Sequence, residues 1–189
     1  MSDELQDHQI TQASGWHFSD EMRFGLWGQV RRRWGLRGVK IIQPKQIQFA
    51  WRYLVIAIDV NHLDLKWAWT ERMNQEHLKP VFELWQLETV IWDGASSHRG
   101  QAMGQLPMNR IFLPPYSPEL NPVERIFEEV RREIEGFVYP SLLAKQHRIE
   151  QFLRRLRADK DRLRQLVCWQ WLQDIFNQLP QSNTGYTFT

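Results

Sequence analysis

The chain has 189 residues, 42% hydrophobic and 24% charged, with a formal net charge of +2. That is length for one domain with a sizeable core, in an ordinary globular composition. The single cysteine, Cys168, excludes an internal disulfide and favours a reducing compartment. No apolar run reaches the length of a membrane span, and the acidic, polar N-terminus has no apolar segment behind basic residues, so the expectation is a cytoplasmic protein without a signal peptide.

In chain order, "GWHFSDEMRFGLW" places Trp16, Phe18, Asp20, Met22 and Phe24 on one side at a period of two, which predicts a strand. Glycines 25, 28, 35 and 38 then predict short strands with tight turns. "FAWRYLVIAID" reads as a buried strand, "VNHLD" as a turn and "LKWAWTE" as a second strand, so this part of the sheet is antiparallel, with Asp59 and Asp64 as turn residues. Leu78, Val81, Phe82 and Trp85 share one helical face, with Pro80 a blemish in the early turns. "TVIWD" and "RIFLP" read as short buried strands. "PVERIFEEVRREIEG" reads as a helix carrying Val123, Phe127, Val130 and Ile134 on one face and stopped at Gly136. Residues 141–179 read as two helices broken near Ala158–Asp161, with Cys168 a buried, inert thiol. Most of the ten tryptophans belong in the core or in helix packing. Antiparallel strands followed by a helical crossover predict a mixed sheet with helices on its faces.

Charge is unevenly placed. No Lys or Arg precedes Arg23, and "RRRWGLRGVK" then puts Arg31, Arg32, Arg33, Arg37 and Lys40 within ten positions. Between Arg131 and Arg164 ten Lys/Arg face five Asp/Glu. Such clustering suits a polyanion, although the C-terminal cluster reads equally well as solvated helix faces.

Three acids sit where a metal site for phosphoryl transfer would need them. Asp93 ends the apolar run "TVIW", at the carboxyl end of a strand where ligands of such sheets gather. Asp20 lies on the core-facing side of its strand, where a charge needs a partner. Glu124 starts a helix behind "FLPPYSPEL", a proline-stiffened loop able to aim one carboxylate. Each acid also has an ordinary reading. Asp93 could be a turn residue and Asp20 a solvated edge residue. Glu124 stands at the capping-box position after Asn121-Pro122. His98, in the small polar run after Asp93, is a candidate for contact with phosphate or a metal, its ordinary reading being a surface or loop histidine, and Arg99 beside it is a candidate for DNA contact.

Taken together, "IFLPPYSPELNPVERIF", "VIWDGASSH" and "FSDEMRFGLWGQVRRRWGLRG" resemble the three acid-bearing segments of mariner-like bacterial insertion-sequence transposases, the IS-six-thirty group of the DDE superfamily. The match runs from about Gly15 to Arg164, and its first string is the specific one. The resemblance implies a ribonuclease H-like α/β fold, a mixed sheet of three antiparallel strands followed by parallel ones, with flanking helices. It implies Asp20, Asp93 and Glu124 as a catalytic triad that uses Mg2+ or Mn2+. The expected site is these three acids holding two such ions, with Arg31, Arg32, Arg33, Arg37, His98 and Arg99 on DNA. The resemblance further implies cleavage and joining of DNA strands by a homodimer on DNA, nucleoid-associated when bound. The expected organisation is a polar lead (1–14), a catalytic core (15–140) and a helical C-terminal extension of the same domain (141–189). Two features depart from the family. Gly94 stands where Asn is usual, and thirty residues separate Asp93 from Glu124, slightly short. Only nineteen residues precede Asp20, so the helix-turn-helix module of the family is expected on a separate segment or through a frameshift fusion. The alternatives are a catalytically silent, DNA-binding or regulatory remnant, and another nuclease of the same fold.

Overall fold

The computed structural model describes residues 10–28 and 34–181. Five strands form one sheet in the order β3-β2-β1-β4-β5: β1 (Trp16–Gly25), β2 (Trp51–Asp59), β3 (Asp64–Thr70), β4 (Thr89–Trp92) and β5 (Asn109–Phe112). The first three pair antiparallel, while β4 joins β1, and β5 joins β4, in parallel. The sheet is mixed, as the strand and crossover pattern predicts.

Alternation along the strands divides the apolar residues between two faces. Trp16, Phe18, Met22 and Phe24 of β1 join Leu54, Ile56, Ile58, Ile91 and Ile111 on one face. There they meet α4 (Val123–Ile134), α5 (Leu142–Ala158), α6 (Lys160–Val167) and α7 (Gln170–Gln178). Val55, Ala57, Val90 and Trp92 occupy the other face, under α1 (Gln75–Trp85) and near two short helices, α2 (Ser96–Arg99) and α3 (Gln101–Gly104). Each large side chain fully withdrawn from water in these layers contributes about 1.5–3 kcal/mol.

The helices begin and end for local reasons. Asn74 caps α1 through its side chain, which accepts the His77 amide at 3.1 Å, and Pro80 is accommodated within the helix. Gly136, at φ +80°, supplies the left-handed residue that ends the chain's run past α4. Ser141 and Asp159 cap α5 and α6 in the same way as Asn74.

Three expectations differ from the structure. Residues 34–50 contain no strand. The glycines there punctuate an extended connection that leaves Trp34, Leu36, Ile42 and Phe49 exposed, so several large apolar residues lie outside the core. The C-terminal region holds three helices rather than two, because a second break falls at Cys168–Trp169. Cys168 is half-buried at that break, where its thiol donates to Val60 O, and burial pushes its pKa up. Two single-turn helices, α2 and α3, follow Asp93 where the sequence reads only as loop.

Candidate active site

The parallel pairing of β1 and β4 places the first two acids. Phe18 pairs with Ile91. Asp20 is two residues beyond Phe18, and Asp93 two beyond Ile91, so both leave neighbouring strands at the same level. Asp20 keeps the side of β1 that Trp16, Phe18, Met22 and Phe24 share. The third acid arrives from the loop after β5. Pro114, Pro115 and Pro118 stiffen it, and Tyr116 adopts φ 60° within it, a left-handed conformation rare for an aromatic residue. Asn121 then fastens the loop to β1. It is buried, its Nδ2 donates to Ser19 O at 3.1 Å, and its Oδ1 accepts the Val123 amide at 3.1 Å. One side chain thus holds the start of α4 against the residue preceding Asp20. Glu124 lies in the first turn of that helix. It closes no capping box, since the Asn121 amide donates to Pro118 O instead.

Asp20, Asp93 and Glu124 line one cavity of about 480 Å3, together with Gly94, Arg99, Pro114, Tyr116 and Asn121. Burial raises the pKa of Asp20 to about 7. The negative charges of Glu21, Glu124 and Asp93 push in the same direction, against the Glu21 amide, which donates to Asp20 Oδ1 at 2.7 Å. Asp93 is held the other way, below the usual carboxylate range, chiefly by its hydrogen bond with His98.

His98 is fully buried and stacked on Trp92, ring centroids 4.5 Å apart. Its Nδ1 lies 2.8 Å from Asp93 Oδ1 and its Nε2 3.0 Å from Glu21 Oε2. Burial alone would lower its pKa, but Asp93 and Glu21 outweigh burial and raise it to about 10, so the ring is an imidazolium that donates from both nitrogens. The expectation of a DNA-facing His98 is therefore corrected: no part of the ring reaches the surface. Glu21, which adjoins Asp20 and emerges on the opposite face of β1, becomes the buried counter-charge that sequence reasoning passed over. Its signal was available, because the alternation that turns Asp20 to one face turns Glu21 to the other. Asn121 was visible only as a helix cap.

Among the described residues no three His, Cys, Asp or Glu side chains stand together as a metal-binding group. Asp93 is turned to His98, and Glu124 lies 3.7 Å from Arg131 Nη1. Both carboxylates are partly exposed, at 58% and 36%, and both residues line the cavity. The donor set itself suits a divalent cation: hard carboxylate oxygens and a buried acid under the repulsion of its neighbours.

Of the expected DNA contacts, Arg99 lines the cavity and Arg37 is exposed on the β1–β2 connection. Arg31, Arg32 and Arg33 lie outside the described residues. Asp59 is the last residue of β2, and its carboxylate accepts the turn amides of Asn61 and His62. The basic C-terminal cluster is largely paired within the fold: Arg148 and Arg155 with Glu133, Arg132 and Arg162 with Glu129, and Arg154 with Glu150. Its arginines are thus partly offset, with five of them sharing three glutamates.

Residues 16–141 match the DDE superfamily endonuclease family. The chain belongs to that family. The matched span runs from the start of β1 to the start of α5 and contains all three acids. Its fold is the ribonuclease H-like one of transposase catalytic domains, as three similar solved structures show. The Mos1 mariner paired-end complex with Mn superposes with a TM-score of 0.63 at 13% identity, over 93% of this chain and 59% of that one. The Mos1 paired-end complex with the left transposon end gives 0.61 at 12% identity, over 88% and 55%. The Mos1 strand transfer complex gives 0.61 at 12%, over 89% and 58%. The chain thus spans between 55% and 59% of the length of these Mos1 chains. No curated protein sequence matches it.

Proposed function

We propose that this chain is the catalytic domain of a DNA transposase, cutting DNA strands and joining the freed 3′-hydroxyl to target DNA, with Asp20, Asp93 and Glu124 as its acids. The observation that carries this reading is the convergence of three carboxylates, from β1, the end of β4 and the start of α4, on one cavity. The same three residues would hold Mg2+ or Mn2+, as a pair of ions, and Mos1 structures with Mn and with Mg are consistent with that choice. When bound there, divalent cations polarise the phosphoryl oxygens and make a water or 3′-hydroxyl oxygen a better nucleophile.

The rest of the work falls to the protein. Asp20, on a core strand, is the least movable of the acids and sets the depth of the site. The buried Glu21–His98 pair anchors the turn that carries Asp93. Asn121 and the proline-stiffened loop fix the approach of Glu124, so that the acids meet a strand at a constant separation. Arg31, Arg32, Arg33 and Arg37 bind backbone phosphates and carry no sequence information by themselves. The working form is a homodimer on DNA in the bacterial cytoplasm.

The test is nicking of supercoiled plasmid with Mn2+ by the wild type and by Asp93→Asn, alongside calorimetric titration of Mn2+ into both. The expected outcome is nicking by the wild type alone, with weaker Mn2+ binding in the variant. Equal nicking by the two proteins overturns the assignment of the acids.

A further inference from the structure

We propose that Arg99 forms a phosphodiester-binding subsite at the rim of the acidic cavity, and that Gly94 is the residue that makes room for it. This deepens the endonuclease reading above and rests on it.

The guanidinium is held from two sides. Its Nε donates to Gly94 O at 3.0 Å, and its central carbon lies 4.7 Å from the centre of the Phe112 ring. The carbonyl bond sets the plane of the group and the ring supports its face, which reduces the disorder that a long side chain loses on meeting a ligand. Arg99 is exposed and lines the cavity that Asp20, Asp93 and Glu124 line, yet it forms no ion pair among the described residues. A cation stands beside three carboxylates without being spent on any of them. A phosphodiester entering that cavity meets concentrated negative charge, and a fixed guanidinium at the rim offsets the repulsion. Its terminal nitrogens present a fork that matches the two non-bridging oxygens of a phosphodiester.

Gly94 sets this arrangement. A Cβ at that position would lie 2.7 Å from Arg99 Nη2, 3.2 Å from Nε and 3.3 Å from Cζ. The guanidinium fills the volume that any larger residue at 94 would take. The conflict is with the far end of a flexible side chain and not with backbone, so a substitution there displaces Arg99 while leaving the turn in place. Residues 94 and 99 are therefore coupled: changing either removes the same cation from the same spot.

The experiment is a double-mutant cycle on DNA binding. Fluorescence anisotropy with a short duplex of arbitrary sequence, in EDTA so that no strand is cut, is measured over a salt series for the wild type, Arg99→Ala, Gly94→Ala and the double variant. Each single variant is expected to bind about tenfold more weakly. Each is expected to lower the slope of log K against log salt by about 0.9, the loss of one phosphate contact. The double variant is expected to bind no more weakly than either single one, and Arg99→Lys to keep the slope. Both positions are exposed, so melting temperatures should stay at the wild-type value and separate lost binding from lost folding. Wild-type slopes in Arg99→Ala, or losses that add in the double variant, overturn the proposal. The Asp93→Asn nicking assay separates the two levels. If Asp93→Asn abolishes nicking while Arg99→Ala keeps the wild-type slope, the subsite falls and the endonuclease stands. If Asp93→Asn nicks as the wild type does, the endonuclease reading falls and takes the subsite with it.

Discussion

Asp20 occupies a position where burial and neighbouring charge act in the same direction, and the consequence is measurable without any substrate. Burial first, then the charge of Glu21, with Glu124 and Asp93 adding, raises its pKa from 3.8 to about 7. The folded state then holds a proton that the unfolded chain releases near pH 4. Stability from this group is fully present below that pH and is lost as pH rises toward and through about 7. Metal-free protein should therefore be more stable near pH 5 than near pH 8. Asp20→Asn should remove that difference and stabilise the protein at pH 8 by about 2–4 kcal/mol, read from urea melts at the two pH values. A variant that melts at the wild-type urea concentration at pH 8 would show that Asp20 carries no such strain. His98 presents the opposite case, a buried charge made tolerable by two acids, one on each ring nitrogen.

Among the elements, the start of α4 decides where the third acid points. The helix has a strongly one-sided apolar face, with Val123, Ile126, Phe127, Val130 and Ile134 buried, and that face alone would seat it on the sheet. An apolar face leaves sliding and rotation cheap. The bonds of Asn121 to Ser19 O and the Val123 amide remove that freedom. Asn121→Ala should cost about 1–3 kcal/mol, since the Ser19 carbonyl would be left buried without its partner. It should also lower Mn2+-dependent nicking by more than that loss of stability explains at temperatures where the variant is folded. Circular dichroism melts paired with plasmid nicking test this, and nicking at the wild-type rate would mean that the loop prolines suffice to aim Glu124. The paired cations of α5 and α6 belong to the same scale. Exposed pairs of this kind contribute little stability individually, but each glutamate offsets part of the positive charge that these exposed arginines present to a polyanion.

Across the whole molecule, a net charge of only +2 gives no general attraction for DNA, so binding must come from where the charges stand. The proposed function assigns that role to the basic run at Arg31, Arg32, Arg33 and Arg37. Replacing Arg31, Arg32, Arg33 and Arg37 by Ala together should flatten the salt dependence of duplex binding by about 3.6 in log–log slope, about 0.9 for each phosphate contact. Anisotropy across a salt series would read this, and an unchanged slope would move the interface elsewhere. The sheet, its two apolar faces and its mixed strand directions were legible in the chain itself, because alternation and helical spacing are local properties that each segment expresses alone. The match of "IFLPPYSPELNPVERIF" carried the family for the same reason: it is a contiguous string. Residues 34–50 misled because glycine marks a change of direction without saying whether strands lie between the turns. What no segment could express was partnership across the fold. That Glu21 and His98, far apart in sequence, meet in the core and that Asn121 grips Ser19 are facts of tertiary packing. They were decided only when parallel pairing of β1 with β4 brought the two ends of the sheet's middle together. Spacing along the chain specifies periodicity and caps, but the depth of a buried charge depends on which distant side chain arrives to meet it.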